Sequence, residues 1–97
     1  MIIEQDYVKQ NFENVFGSRA RVKILKTLAK NSELSISQVI RNTHLNHSSV
    51  IKHLDFLKKI NLIQEKNFGR IKILRFKVEN LKAKSFKKFV EIWEGDF

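Results

Sequence analysis

Residues 45–63, LNHSSVIKHLDFLKKINLI, decide how the rest of the chain is read. Val50, Leu54, Leu57 and Ile60 recur at helical spacing and form a stripe that faces a core. His47, Ser48, Ser49 and Lys52 lie off that stripe, close to the helix start. Asn46 is a good N-cap, and Asn61 sits where a helix ends in a left-handed residue, a conformation Asn tolerates best after Gly. One helix therefore carries a buried face and a small-polar, basic face. In a basic chain such a helix suits contact with base edges in DNA.

The chain is strongly basic, with a net charge of +9 over 97 residues and a pI near 10.1, which points to a polyanionic partner. The excess is segregated. Residues 1–16 carry −2, residues 17–61 carry +7, residues 62–78 carry +4, and residues 79–97 are neutral. A charged surface serves solubility in many proteins, but this distribution favours a localised binding face. The length fits one domain with a modest core. No apolar run approaches the 18 or so residues of a membrane span. The first 16 residues bear acids and amides throughout, unlike a secretory signal, so a cytoplasmic location is expected. With no cysteine, disulfides and thiolate metal sites are excluded.

Working outward, residues 4–16 put Val8, Phe12, Val15 and Phe16 on one helical stripe, with Tyr7 beside it. Gly17 suits a C′ position and Ser18 an N-cap. Residues 19–30 form a second helix that turns Val22, Leu25, Leu28 and Ala29 to the core, with Ile24 alongside. Ser35, with Gln38 three residues on, opens a short helix over 36–43 that buries Val39 and Ile40. His44-Leu45-Asn46 is a tight turn. After the 47–60 helix, residues 62–66 and 71–78 read as strands joined by Asn67-Phe68-Gly69-Arg70, a hairpin with Lys66, Arg70 and Lys72 at its tip and flanks. A last helix over 81–93 aligns Phe86, Phe89, Val90 and Trp93.

Helix, short helix, turn, longer helix and basic hairpin, in that order, resemble the winged helix-turn-helix fold. The nearest branch is the ArsR type of small regulators, with the MarR type next. The resemblance rests on Gly17-Ser18-Arg19 leading to Ile24-Leu25, on His53-Leu54 with Leu57 and Asn61-Leu62-Ile63, and on Gly69-Arg70. It covers residues 17–78. It implies a mainly α fold with a small β-hairpin and with N- and C-terminal dimerisation helices. It also implies DNA contacts by Asn46, His47, Ser48, Ser49, Ile51 and Lys52. Asn61 departs from the family's usual Gly, and Ile51 stands where a small polar residue is usual. An apolar side chain there either meets a thymine methyl or packs on the neighbouring helix.

In the hairpin, Lys66, Arg70 and Lys72 suit the DNA backbone or the minor groove, although charged tips also guard sheet edges against aggregation. Arg19 and Arg21 are weaker candidates for flanking phosphates. His53, beside Leu54, reads as a partly buried structural histidine. His44, His47 and His53 lack the spacing of a metal site, no nucleophile stands near a base, and no cofactor is expected. Tyr7, Phe12, Phe16, Phe86, Phe89 and Trp93 exceed what one small core can cover. They either pack the terminal helices on each other or form a homodimer interface, which the resemblance favours. The expected function is sequence-specific binding of double-stranded DNA by a homodimeric transcriptional regulator, with repression as the outcome. The alternatives are a protein–protein interaction module and a nonspecific nucleic-acid binder.

Overall fold

Four polar side chains fix where the helices of this computed structural model begin; residues 12–95 are described. Ser18 accepts from the Arg21 amide at 3.1 Å and opens α2 (Arg19–Asn31). Ser35 opens α3 (Ile36–Thr43) with a reciprocal box: its hydroxyl accepts from Gln38 N at 3.2 Å, and Gln38 Oε1 accepts from Ser35 N at 2.9 Å. Asn46 accepts from Ser49 N at 2.8 Å to start α4 (His47–Lys59), and Asn80 caps α5 (Leu81–Glu94) through Lys82 N and Ala83 N. Each cap satisfies amides that the helix itself leaves unpaired, at about 1 kcal/mol apiece. A short α1 (Phe12–Phe16) precedes them. The part of the first predicted helix over residues 4–11, Tyr7 included, lies outside the described residues.

The end of α4 follows the reading of Asn61. Its φ is +69°, its amide donates to Lys58 O at 3.0 Å, and the Leu62 amide donates to Leu57 O at 3.1 Å. This pair of bonds is a Schellman motif, and Leu57 and Leu62, the residues it brings together, are both in the core. Gly17 departs from its expected role. Its φ is not positive; instead a Cβ there would collide with the carbonyl oxygen of Glu13. The glycine lets the chain leave α1 with its backbone close against the Glu13 carbonyl. Gly17→Ala is therefore expected to destabilise the fold by about 1–3 kcal/mol, read as a lower midpoint in urea unfolding. An unchanged midpoint would show that α1 moves aside without cost.

The hairpin is one part of a three-stranded antiparallel sheet in the order β1-β3-β2. The sequence reading missed β1 (Glu33–Ser35), whose three residues are too few to show alternation. It pairs with β3 (Ile71–Phe76), with Leu34 opposite Leu74. β2 (Ile63–Phe68) runs two residues beyond its predicted end, so that Phe68 faces Ile71 and only Gly69-Arg70 form the turn. Gly69 has φ +62°, as a glycine in the first position of a two-residue hairpin turn requires.

The core lies where α2, α3 and α4 meet the inner face of the sheet. Ile24, Leu25, Leu28, Val39, Val50, Leu54, Leu57 and Leu74 are buried there. Ile24 takes the place expected of Val22, which is half-buried, and Ile40 is half-buried rather than enclosed. Among the described residues, Thr43 is the buried polar residue. Its hydroxyl donates to Val39 O at 2.7 Å and accepts from Leu45 N at 3.4 Å, which holds the turn between α3 and α4. Among the described residues, no helix is long and apolar enough to cross a membrane.

Candidate nucleic-acid interface

Because β1 stops at Ser35, opposite Ile73, the β3 residues beyond that point have no partner on this side. The chain turns away into α3 and leaves a groove of about 560 Å³ between α3, α4 and the tip of the hairpin. His47 and Ile51 of α4, Ile36, Ser37 and Ile40 of α3, and Arg70, Ile71 and Lys72 of the hairpin line it. Four of the nine residues singled out as DNA contacts thus converge: His47, Ile51, Arg70 and Lys72.

The other five are arranged differently. Asn46 Oδ1 is engaged in capping, accepting from both Ser49 N and the Ser48 hydroxyl (3.1 Å). Ser48 and Lys52 are exposed and Ser49 is half-buried, and none of them lines the groove. Lys66 is separated from Lys72 by the alternation of the strand, which puts their side chains on opposite faces. Its ammonium is held by Glu33 of β1 at 2.9 Å. Lys72 is anchored only loosely, 4.0 Å from Glu65, whose carboxylate is already bound by Lys58 at 2.7 Å. That hydrogen bond holds the Lys58 pKa above its ordinary value. Among the described residues, neither Lys52 nor Arg70 makes an ion pair. Their positive charges stand uncompensated on the surface.

Arg21 does not present its charge in the same way. Its guanidinium lies 3.8 Å from the centre of the Phe56 ring, donates to His53 Nδ1 at 3.3 Å, and donates to the carbonyl of Asn14. One side chain thereby joins α1, α2 and the middle of α4. Burial, then the charges of Arg21 and Lys52, push the His53 pKa below 6.5. A histidine that accepts at Nδ1 carries its proton on Nε2. Folding therefore favours neutral His53. The stability it contributes is fully present above about pH 6.5 and is lost as the pH falls through the folded-state pKa. Imidazole NMR titration should show His53 titrating below 6.5, with unfolding midpoints falling on acidification. A His53 pKa above that value would contradict the arrangement.

A second groove, of about 800 Å³, shares no lining residue with the first and is almost wholly apolar. Phe12, Val15 and Phe16 of α1 and Leu81, Phe86, Phe89 and Trp93 of α5 line it, with Ile60 and Leu62 at the end of α4. The aromatic set divides here. Phe16 and Phe86 stack on each other with centroids 5.6 Å apart, so part of the stripe is satisfied within the chain. Phe12, Phe89 and Trp93 remain 73%, 59% and 77% exposed. The two grooves lie toward opposite ends of α4, Ile51 of the first being about 14 Å from Ile60 of the second along the axis at 1.5 Å per residue. Among the described residues, no three His, Asp or Glu side chains gather as a metal site would require.

The sequence reading had no signal for Ser37 and Ile71 as groove residues. Their place depends on where β1 ends, and β1 was not visible.

Residues 18–65 match the family model described as bacterial regulatory protein, arsR family. No curated protein matches the sequence. Among solved structures, HlyU from Vibrio cholerae superposes with a TM-score of 0.71 at 18% identity, over 81% of this chain and 83% of HlyU. The transcriptional repressor PagR of Bacillus anthracis gives 0.66 at 22% identity, over 78% of this chain and 84% of PagR. Sso10a-2, a DNA-binding protein from Sulfolobus solfataricus, gives 0.57 at 20% identity, over 80% of this chain and 83% of its own. At these identities the likeness establishes the fold, a winged helix-turn-helix.

Proposed function

Since residues 18–65 carry the helix-turn-helix region of the arsR family of bacterial regulatory proteins, we propose that this chain binds specific sites in double-stranded DNA as a homodimer and represses transcription in the cytoplasm. The observation that carries the proposal is the groove in which His47 and Ile51 of α4 meet Arg70 and Lys72 of the wing, next to the exposed Lys52 of α4. In this reading α4 enters the major groove N-terminus first. Ser48, Ser49 and the first-turn amides meet phosphates or base edges, and Lys52 and Lys72 meet phosphates. Arg70, at the tip of the wing, reaches the backbone or the adjacent minor groove. Asn46 acts chiefly by fixing the first turn of α4, and Lys66 acts only where its bond to Glu33 opens.

The homodimer reading is supported by the exposed aromatics of α1 and α5 and by the neutral charge of residues 79–97, which lets two basic chains approach. Tyr7 belongs to the same proposed interface by sequence. A two-fold pair would set the two recognition helices in successive major grooves, roughly 34 Å apart, over an inverted repeat. Sedimentation of the chain with a labelled duplex tests this reading. Two chains per duplex are expected, with affinity falling steeply as salt rises. Absence of any complex at low salt would overturn the DNA reading and favour a protein partner.

A further inference from the structure

Strand alternation sorts the side chains of the hairpin onto two faces. Ile63 of β2 and Leu74 and Phe76 of β3 point into the core, and Lys72 stands on their side. Phe68 and Ile71 stand on the other face, with Lys66 and Ile73. Ile73 is half-buried, but Phe68 and Ile71 are 61% and 57% exposed. These two face each other in the last pair of the ladder, directly behind the turn Gly69-Arg70. The Lys66 ammonium lies 5.9 Å from the centre of the Phe68 ring. The wing therefore ends in an apolar pair just behind an arginine. A hairpin tip that served only solubility would carry charge at those positions instead.

The surroundings of the pair decide what can cover it. Residues 66–78 contain no acid, while Lys66, Arg70 and Lys72 stand close to Phe68 and Ile71. Such a tip suits an apolar surface flanked by phosphates, and in a DNA duplex that surface is the faces of the stacked bases. We infer that Phe68 and Ile71 form a wedge that enters a base step from the minor groove and partly unstacks it. The inference rests on the DNA reading above and deepens it, adding a kink and a step preference to a wing so far given only charge contacts. Arg70, at the turn, leads the tip into the groove. Lys72, on the opposite face, meets the phosphates on the side nearer α4. Wedges of this kind bend the duplex toward its major groove by roughly 20–90°. Here the bend carries the DNA toward α4, and the closer contact offsets the stacking lost. Pyrimidine–purine steps unstack most easily, so TA or CA/TG is the step favoured at the wing.

A short alternating d(TA) duplex with 2-aminopurine in place of the adenines of one strand tests this, because the analogue is quenched while stacked and brightens when unstacked. The full chain is added to saturation at low salt, and a dye on one duplex end reports binding separately by anisotropy. Wild type is expected to raise the 2-aminopurine fluorescence severalfold. Phe68→Ser should leave it near the level of the free duplex, Ile71→Ser should lower it in part, and the still apolar Phe68→Leu should keep part of the rise. Both sites are exposed, so the variants fold, which circular dichroism checks. Affinity changes less than the signal, by about tenfold or less, since ring–base stacking gained and base–base stacking lost are of similar size. Saturated binding by wild type without any rise would overturn the wedge while leaving the DNA reading standing. A rise that persists in a Phe68→Ser, Ile71→Ser double variant would likewise overturn it, placing the unstacking elsewhere on the chain. No binding of wild type to the duplex would overturn the DNA reading together with the inference and leave the tip as a contact for a protein.

Discussion

Lys52→Ala combined with Arg70→Ala is expected to weaken duplex binding roughly a hundredfold or more and to flatten its salt dependence, with the fold unchanged. Among the described residues neither side chain makes an ion pair, and both are exposed, so their removal costs little stability. Each lysine or arginine on a phosphate displaces about one counterion, so each lost contact lowers the slope of log affinity against log salt by about 0.9. In a dimer the two substitutions remove about four contacts, and the slope falls by roughly three to four. Lys66→Ala is the internal control. Its ammonium is tied to Glu33 on the far face of the sheet and contributes less to the slope. Binding isotherms across a salt series, with circular dichroism to check the fold, give the answer. Equal slopes for wild type and the double variant would take Lys52 and Arg70 off the interface.

Trp93→Asp is expected to split the proposed homodimer into folded monomers. The indole is 77% exposed and stacks 5.8 Å from Phe89, itself 59% exposed, along the rim of the apolar groove between α1 and α5. An aromatic side chain contributes about 150–250 Å² of contact, so Trp93, with Phe12 and Phe89, offers a large apolar surface to a partner copy. A carboxylate in that contact would be desolvated, and of the two lysines that line the groove Lys26 is already paired with Glu94 at 2.8 Å; the loss is about 3 kcal/mol in each half of a two-fold interface. In the free monomer the same carboxylate is solvated and costs little. Phe86→Asp would not separate the two effects, because Phe86 stacks on Phe16 and also approaches Phe76 of the core. Sedimentation velocity distinguishes monomer from dimer. The Trp93→Asp monomer should also lose tight binding to an inverted repeat, since only one half-site is engaged at a time. A dimer that survives would move the interface away from α5.

The elements that carried their own chemistry were legible in the sequence. Asn46, Ser35 with Gln38, and Asn61 announced the helix ends on either side of the turn, because capping depends on residues three or four apart. The stripe of Val50, Leu54 and Leu57 identified the buried face of α4 for the same local reason. The missing information was long-range. β1 is defined by its pairing with β3, more than thirty residues later, and Glu33-Leu34-Ser35 alone has no alternation to read. The groove depends on where that pairing stops, so Ile71 and Ser37 could not be placed beside Ile51. Strand alternation could have separated Lys66 from Lys72, yet the ion pair of Lys66 with Glu33 again required β1. Arg21 shows a similar limit: its charge was visible, but its contacts with His53 and Phe56 span 32 and 35 positions. For the terminal helices the aromatic excess was plain, whereas the division into a stacked pair and an exposed set required the packing of α1 on α5.

Selection of bound duplexes from a random pool, at physiological ionic strength, tests the central claim most directly. Enrichment of one inverted repeat, its half-sites one helical turn apart, is the expected result. Retention of duplexes without enrichment, or no retention at all, would contradict a sequence-specific dimeric regulator.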